Sequence, residues 1–457
     1  MKENFMKRKS LIGLLAMALV IGMLVIGCED AETPPDPCAD GHDFSDGWEK
    51  DADWHWKECE RDGCEAVSGD GTAESGKAAH EGIPCEVCDY LAAYDVIIDL
   101  AIGEGVINND THPTSAGQTV LIKGISNGKR WITITNATEI YIANNTEIKD
   151  VINVPGGTIH GGGSGIIIAD IGAYGSIEIS GVIGTTGLIW AAAGDITISG
   201  TIGSITGDTD GEVSIGADAG DITISGTVGD ITGLIYTDAG DITISGTVGD
   251  ITSMEYGGGI WTFGSITISG TVGNITGLSY GITAIDAIEI SGTVGDITGI
   301  GIVGDITTII YTGIFAFTGG IEISGTVGNI TGGDYGIRTL SGGDIEISGT
   351  VGNISGGDLG INPNNGNINI SGTTGNITGG DYGIGAGGSI EISGTTGNIS
   401  GDDYGIWVLL GSIKITAGAS IGNNTANAIQ GGIAQIGVGI TDYNDFPRTT
   451  PKPWVWE

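Results

Sequence analysis

Between Ser176 and Ile415 apolar and polar positions alternate in short runs punctuated by glycine. In Asp344-Ile345-Glu346-Ile347-Ser348 the apolar side chains recur at every second position, the period of a half-buried strand. Isoleucine is β-branched and suits that conformation. Gly349 breaks the run, Thr350-Val351 resumes it, Gly352-Asn353 turns the chain, and Ile354 returns to the apolar side. A third piece follows, Asp334-Tyr335-Gly336-Ile337 in one unit and Asp381-Tyr382-Gly383-Ile384 in another. The Ile-Ser-Gly core recurs with its serine at Ser180, Ser199, Ser225, Ser245, Ser269, Ser291, Ser324, Ser348, Ser371 and Ser393. A repeat of this length signals stacked supersecondary units, none of which can bury its apolar face alone. Three short strands per roughly 23 residues predict an all-β fold, a right-handed parallel β-helix. A left-handed one would need hexapeptide steps. About 10–12 coils, about 4.8 Å apart, would span about 50–60 Å.

Stacking turns equivalent residues into rows. Ile345, Ile347, Ile354 and their equivalents are the expected core. Asn274, Asn329, Asn353, Asn376 and Asn398, with Asp230, Asp250 and Asp296 in earlier coils, form a row at the second turn. Asparagine tolerates left-handed backbone, and its amide can bond to the next rung. Tyr280, Tyr335, Tyr382 and Tyr404 form an aromatic row, with Leu359 substituting once. Tyr335 and Ile337 stand two apart, so regular alternation puts both in the core; a sugar-stacking platform is the competing reading. An outward row runs Thr197, Thr223, Thr243, Thr267, Glu289, Glu322, Glu346, Asn369, Glu391, Lys414. Its glutamates Glu322, Glu346 and Glu391 read either as a solvated face or as a weak cation face that calcium would suit. Its threonines do not make the regular Thr-x-Thr grid of ice-binding arrays.

The first residues differ in kind. Lys7, Arg8 and Lys9 precede an apolar run from Leu11 to Ile26, which closes in Val25-Ile26-Gly27-Cys28. Such a run, single and short, reads as a secretion signal. The combination resembles the signal and lipobox of bacterial lipoproteins. That resemblance implies cleavage before Cys28, diacylglycerol on its thiol, and a body anchored to a membrane. Expected boundaries are a signal peptide at 1–27 and a proline-rich linker at 28–37.

Residues 38–90 hold the remaining five cysteines and three of the five histidines. Cys59/Cys64 and Cys85/Cys88 are spaced as two knuckles closing one tetrahedral zinc site. Cys38, His42, His55 and His80 would supply a second set. Disulfides are the competing arrangement, since a lipoprotein leaves the reducing cytoplasm; an odd number of cysteines cannot all pair. The stretch containing His55-Trp56-x2-Cys59, His80 and Cys85-x2-Cys88 resembles small Cys/His repeats of bacterial cell-surface proteins, which implies a structural zinc module. After it, 91–130 reads as a cap and irregular first coil, with Tyr90–Ala101 either an amphipathic helix or a first strand. Repeats should occupy 131–430 and a C-terminal cap or tail 431–457. The long step between Ser291 and Ser324 contains Val303–Thr307, a truncated extra unit or a bulged loop.

The formal charge is −40, and no Lys or Arg occurs between Asp150 and Arg338. Such a surface repels phosphate backbones, which argues against nucleic acid as a partner. Many right-handed β-helices are pectin-type lyases and hydrolases, but a shared fold is not a shared function. The lyases need an arginine base with calcium carboxylates, and the hydrolases need clustered aspartates with a histidine. Here Arg338 stands alone in the repeats and Asp402-Asp403 is the one unusual acidic pair. The expectation is a non-enzymatic lipoprotein of the bacterial cell envelope, at the outer membrane or cell surface: a rigid acidic rod for adhesion, wall association or surface coating, with a glycan or cell-wall polymer as the candidate partner. The alternatives are calcium-dependent carbohydrate binding and a polysaccharide-active enzyme.

Overall fold

The computed structural model describes four short strands between Glu49 and Ala79, and then most of 94–436. The larger interruptions in that second stretch are 101–108, 126–130, 208–212, 255–257, 301–310, 417–419, 422–428 and 431–433. The chain divides into two units, Met1–His80 and Glu81–Glu457. In the first, Trp54–Glu58 is the central strand of an antiparallel sheet. It pairs with Glu49–Lys50 through Lys50↔His55, with Val67–Ser68 through Lys57↔Ser68, and with Ala78–Ala79 through Trp54↔Ala79.

The second unit is a parallel β-solenoid of the right-handed type with about 13 turns, and no helix occurs among the described residues. The expected 10–12 coils fall short because pairing starts ahead of the regular repeats. Val96–Asp99 lies parallel to Thr119–Lys123, through Val96↔Val120 and Ile98↔Ile122. This settles the reading of Tyr90–Ala101 in favour of a strand over the part described.

Each regular coil carries four strands where three were expected. One coil runs Ile345–Ile347, Thr350–Val351, Ile354–Ser355 and Leu359–Asn362. Gly352-Asn353 makes a true corner, so the two short runs flanking it are separate strands. The next coil repeats the set in register, with Ile345↔Ile368, Val351↔Thr374, Ile354↔Ile377 and Ile361↔Ile384.

Register decides burial. Ile345, Ile347, Ile354 and Ile361 are fully buried and Val351 nearly so, while Glu346, Ser348 and Thr350 between them are exposed. Each such isoleucine gains about 1.5–3 kcal/mol from leaving water. The first corner admits only glycine. The N–H groups of Ser348 and Gly349 both donate to the carbonyl oxygen of Ile323, and a Cβ on Gly349 would collide with the carbonyl oxygen of Gly325.

The asparagine row holds the second corner, but not as expected. The described non-glycine residues with positive φ are Asn145 and Asn364, so the row is not left-handed. Nor do amides chiefly meet amides. Each Oδ1 accepts the backbone N–H of its counterpart one coil on: Asn353 N–H donates to Asn329 (2.9 Å), Asn376 N–H to Asn353 (2.8 Å) and Asn398 N–H to Asn376 (2.9 Å). Asp250 Oδ1 takes Asn274 N–H at 2.7 Å in the same way, which is why Asp and Asn exchange freely here. A second row of this kind supports the fourth corner, where Asn367 N–H donates to Asp344 Oδ1 at 2.7 Å and Ser389 N–H to Asn367 Oδ1 at 2.8 Å.

The long step between Ser291 and Ser324 adds no coil. Ile288–Ile290 pairs directly with Ile321–Ile323, and Ile297–Gly299 with Ile330–Gly332. The extra residues therefore enter between the third and fourth strands of one coil; Val303–Thr307 itself lies outside the described residues.

Candidate binding faces of the solenoid

Three sets of outward side chains stand out. The first is the predicted Thr/Glu row on the first strand. Pairing places Thr267, Glu289, Glu322, Glu346, Asn369, Glu391 and Lys414 on successive rungs. Glu289, Glu322 and Glu346 are exposed and follow one another without a break. The row then resolves its own repulsion: Asn369 Nδ2 donates to Glu346 Oε1 at 3.5 Å, and Lys414 Nζ pairs with Glu391 Oε1 at 2.8 Å. Among the described residues no three Cys, His, Asp or Glu side chains converge as a metal site would need.

The second set is aromatic and lies on the fourth strand. One column of it runs Tyr236, Trp261, Thr283, Phe315 and Arg338 on successive rungs. Tyr236 and Trp261 stack with centroids 4.7 Å apart and planes within 9°. The tyrosine row joins this face and is half-buried, not core as regular alternation implied. Tyr280 stacks on Phe315 at 5.6 Å, and the Arg338 guanidinium lies 4.2 Å from the Tyr335 ring centroid. Alternation fails at the glycine after each tyrosine. A Cβ on Gly336 would approach Ile354 Cγ2 to 2.7 Å, so that position points inward beside buried Ile337 and pushes Tyr335 out. Burial raises the pKa of the Tyr280 and Tyr335 hydroxyls above the usual phenol value, so both are neutral donors.

Beside the tyrosines runs an acidic row. Asp358 has its carboxyl pKa raised, first by burial and then by Asp334 and Asp381 one rung to either side. A recess of about 470 Å³ opens in the aromatic face, with Leu234, Tyr236, Trp261, Tyr280, Thr283 and Phe315 among its lining residues.

The third set was missed in the sequence. His160 lies one rung above Tyr141 and one below Ser180, with its ring stacked on Tyr141 at 4.4 Å. Its Nε2 meets Glu139 Oε2, and Ser180 Oγ lies 2.7 Å from its Nδ1. The signal was present in the spacing: Glu139, His160 and Ser180 stand 21 and 20 residues apart, one coil each. It is visible only once the irregular early coils are aligned with the regular ones. The same holds for Trp261 and Phe315, which have no counterpart in the Gly-Asp-Tyr motif that marks the tyrosine row.

Cys28, Cys38, His42, Cys59, Cys64, His80, Cys85 and Cys88 fall outside the described residues; the backbone of His55 is in the strand Trp54–Glu58. No known protein family, curated protein or solved structure matches this chain.

Proposed function

We propose that this chain is a non-enzymatic protein of the bacterial cell envelope. Lipid on Cys28 anchors it, a zinc module at 38–90 precedes the solenoid, and the acidic coils present repeated outer rows to glycans or cell-wall polymers. The observation that carries this reading is the unbroken register of outward positions, rung after rung, from Thr197 to Lys414. A rigid array with a constant pitch of about 4.8 Å suits a repetitive partner better than a single small molecule. The negative charge suits a soluble, non-sticking surface and argues against anionic polymers.

The test compares cells producing the full chain and its Cys28→Ser variant. The expected result is wild type in the membrane fraction, cleaved by protease added to intact cells, and the variant released from membranes. Equal membrane association of both would overturn the anchor.

A second reading, action on an ester-bearing polysaccharide, is favoured by the chain Glu139–His160–Ser180. Its carboxylate, imidazole and hydroxyl follow the order of an activated nucleophile. Hydrolysis of an acetyl ester that disappears in Ser180→Ala would support it; no turnover in wild type would remove it.

A further inference from the structure

The serines of the Ile-Ser-Gly row share one register position, coil after coil, from Ser180 to Ser393. One of them has an imidazole for a neighbour. Ser180 pairs with His160 on the rung below, and its Oγ lies 2.7 Å from Nδ1. Ser199, one rung above, instead donates to Glu178 Oε1 at 3.0 Å. No histidine follows His160 in the sequence, so the later serines of the row have none in register. The hydrogen bonds assign the protons around His160. Nε2 meets Glu139, and an ionised carboxylate only accepts, so Nε2 carries the hydrogen. In the neutral ring Nδ1 is then the bare nitrogen, and the Ser180 hydroxyl donates to it. The stack on Tyr141 holds the plane of the ring. The chain is open to a substrate: the His160 side chain is 31% and that of Glu139 41% exposed, and Ser180 is half-buried.

We infer that Ser180 is an acyl-accepting nucleophile, with His160 as its general base, and that it takes esters of neutral acyl groups. This rests on the ester reading above and assigns its roles and the charge of its substrate. Ser180 Oγ attacks the ester carbonyl carbon as its proton passes to His160 Nδ1. The bond from that carbon to the alcohol oxygen breaks, the alcohol leaves with the proton from Nδ1, and the acyl group stays on Oγ. Water then attacks the acyl carbon and gives a proton to Nδ1. The carboxylic acid leaves, and Oγ regains the proton. Glu139 is a positioning residue: it holds Nε2–H, and its charge offsets the positive charge on the ring while Nδ1 carries the proton. The two ring nitrogens are exchanged relative to the familiar serine hydrolase order, which leaves the sequence of donors and acceptors unchanged. Charge selects the substrate. Glu178 is exposed two residues before Ser180 on the same strand, and Glu139 lies beyond His160. An acyl group bearing its own carboxylate would meet both, and a neutral one meets neither as a like charge.

The experiment treats the whole mature chain, residues 28–457 with Cys28→Ser, with a fluorophosphonate, with nitrophenyl acetate and with nitrophenyl hemisuccinate. The fluorophosphonate should attach to Ser180 and leave Ser199 free, as read by mass spectrometry of peptides. The acetate should be hydrolysed about tenfold faster than the hemisuccinate, which carries a carboxylate. His160→Ala should slow both labelling and turnover by about 100-fold or more while circular dichroism stays unchanged. Glu139→Gln keeps an acceptor for Nε2–H without the charge and should lower kcat while leaving KM unchanged. No label at Ser180, or equal label at Ser199, would overturn the inference. Acetate turnover that survives Ser180→Ala would also overturn it, while an ester-directed activity seated elsewhere on the chain would stand. Label at Ser180 with no turnover of either ester would sustain the activated nucleophile and overturn hydrolysis, here and in the reading above. Hemisuccinate turned over as fast as acetate would overturn the selection by charge.

Discussion

Asn353 Oδ1 accepts the backbone N–H of Asn376 from the next coil at 2.8 Å. The bond turns a side chain into part of the main-chain ladder at a corner where strand pairing lapses. Its partner's own Oδ1 serves Asn398, so the row is a relay of single bonds, each fixing one corner to the next.

Removing one member should therefore cost more than an exposed asparagine normally does. Asn353→Ala leaves the Asn376 N–H without its acceptor and should lower stability by about 1–2 kcal/mol. Asn353→Asp keeps Oδ1 and should cost much less. Urea unfolding of the two variants checks this, and amide exchange at Asn376 should rise in the first alone.

The valine row of the second strand ends in threonine. Val351 pairs with Thr374, which pairs with Thr396, and both threonine hydroxyls are buried without a partner among the described residues. Valine has the same shape without the hydroxyl. Thr374→Val should stabilise the protein by about 1 kcal/mol, read as a higher melting temperature.

Asp358 carries a raised pKa, so folding favours its protonated form. The native state then holds the proton more tightly than the unfolded chain, and stability falls as pH rises from the ordinary aspartate value of 3.8 through the raised one. Asp358→Asn should remove that loss. It should melt higher than wild type at neutral pH, by well under about 1 kcal/mol because the side chain is exposed and solvent screens it, and the difference should vanish in acid below the ordinary aspartate range. Melting curves across pH test both the sign and the window.

The first corner has no room for a side chain. Gly349→Ala would drive a methyl group into the carbonyl oxygen of Gly325 and should cost about 1–3 kcal/mol. An undisturbed urea midpoint would mean that the corner is looser than its packing indicates.

Much of the fold is legible in the chain because isoleucine, glycine and the Ile-Ser-Gly core repeat with the coil. Period two correctly assigns Ile345 and Ile347 inside and Glu346 outside. The same rule misplaces Tyr335, because it assumes that alternation continues across Gly336, where backbone without a Cβ can turn inward beside Ile337. The second-turn row was visible as Asn and Asp, but its chemistry was not. Whether an amide bonds sideways or to the main chain above depends on how the corner is aimed, which composition does not encode. The aromatic column and the Glu139–His160–Ser180 chain were hidden for another reason: their members differ in identity from rung to rung, so only the pairing register brings them together.

The most direct test of the account is a polysaccharide and cell-wall binding screen of residues 28–457 with Cys28→Ser, run in calcium and in chelator. The account predicts reproducible binding to a neutral polysaccharide that persists in chelator, because the aromatic face needs no metal. Binding lost in chelator would move the contact to the Glu322–Glu346–Glu391 face, and no binding in either condition would contradict a glycan-facing function altogether.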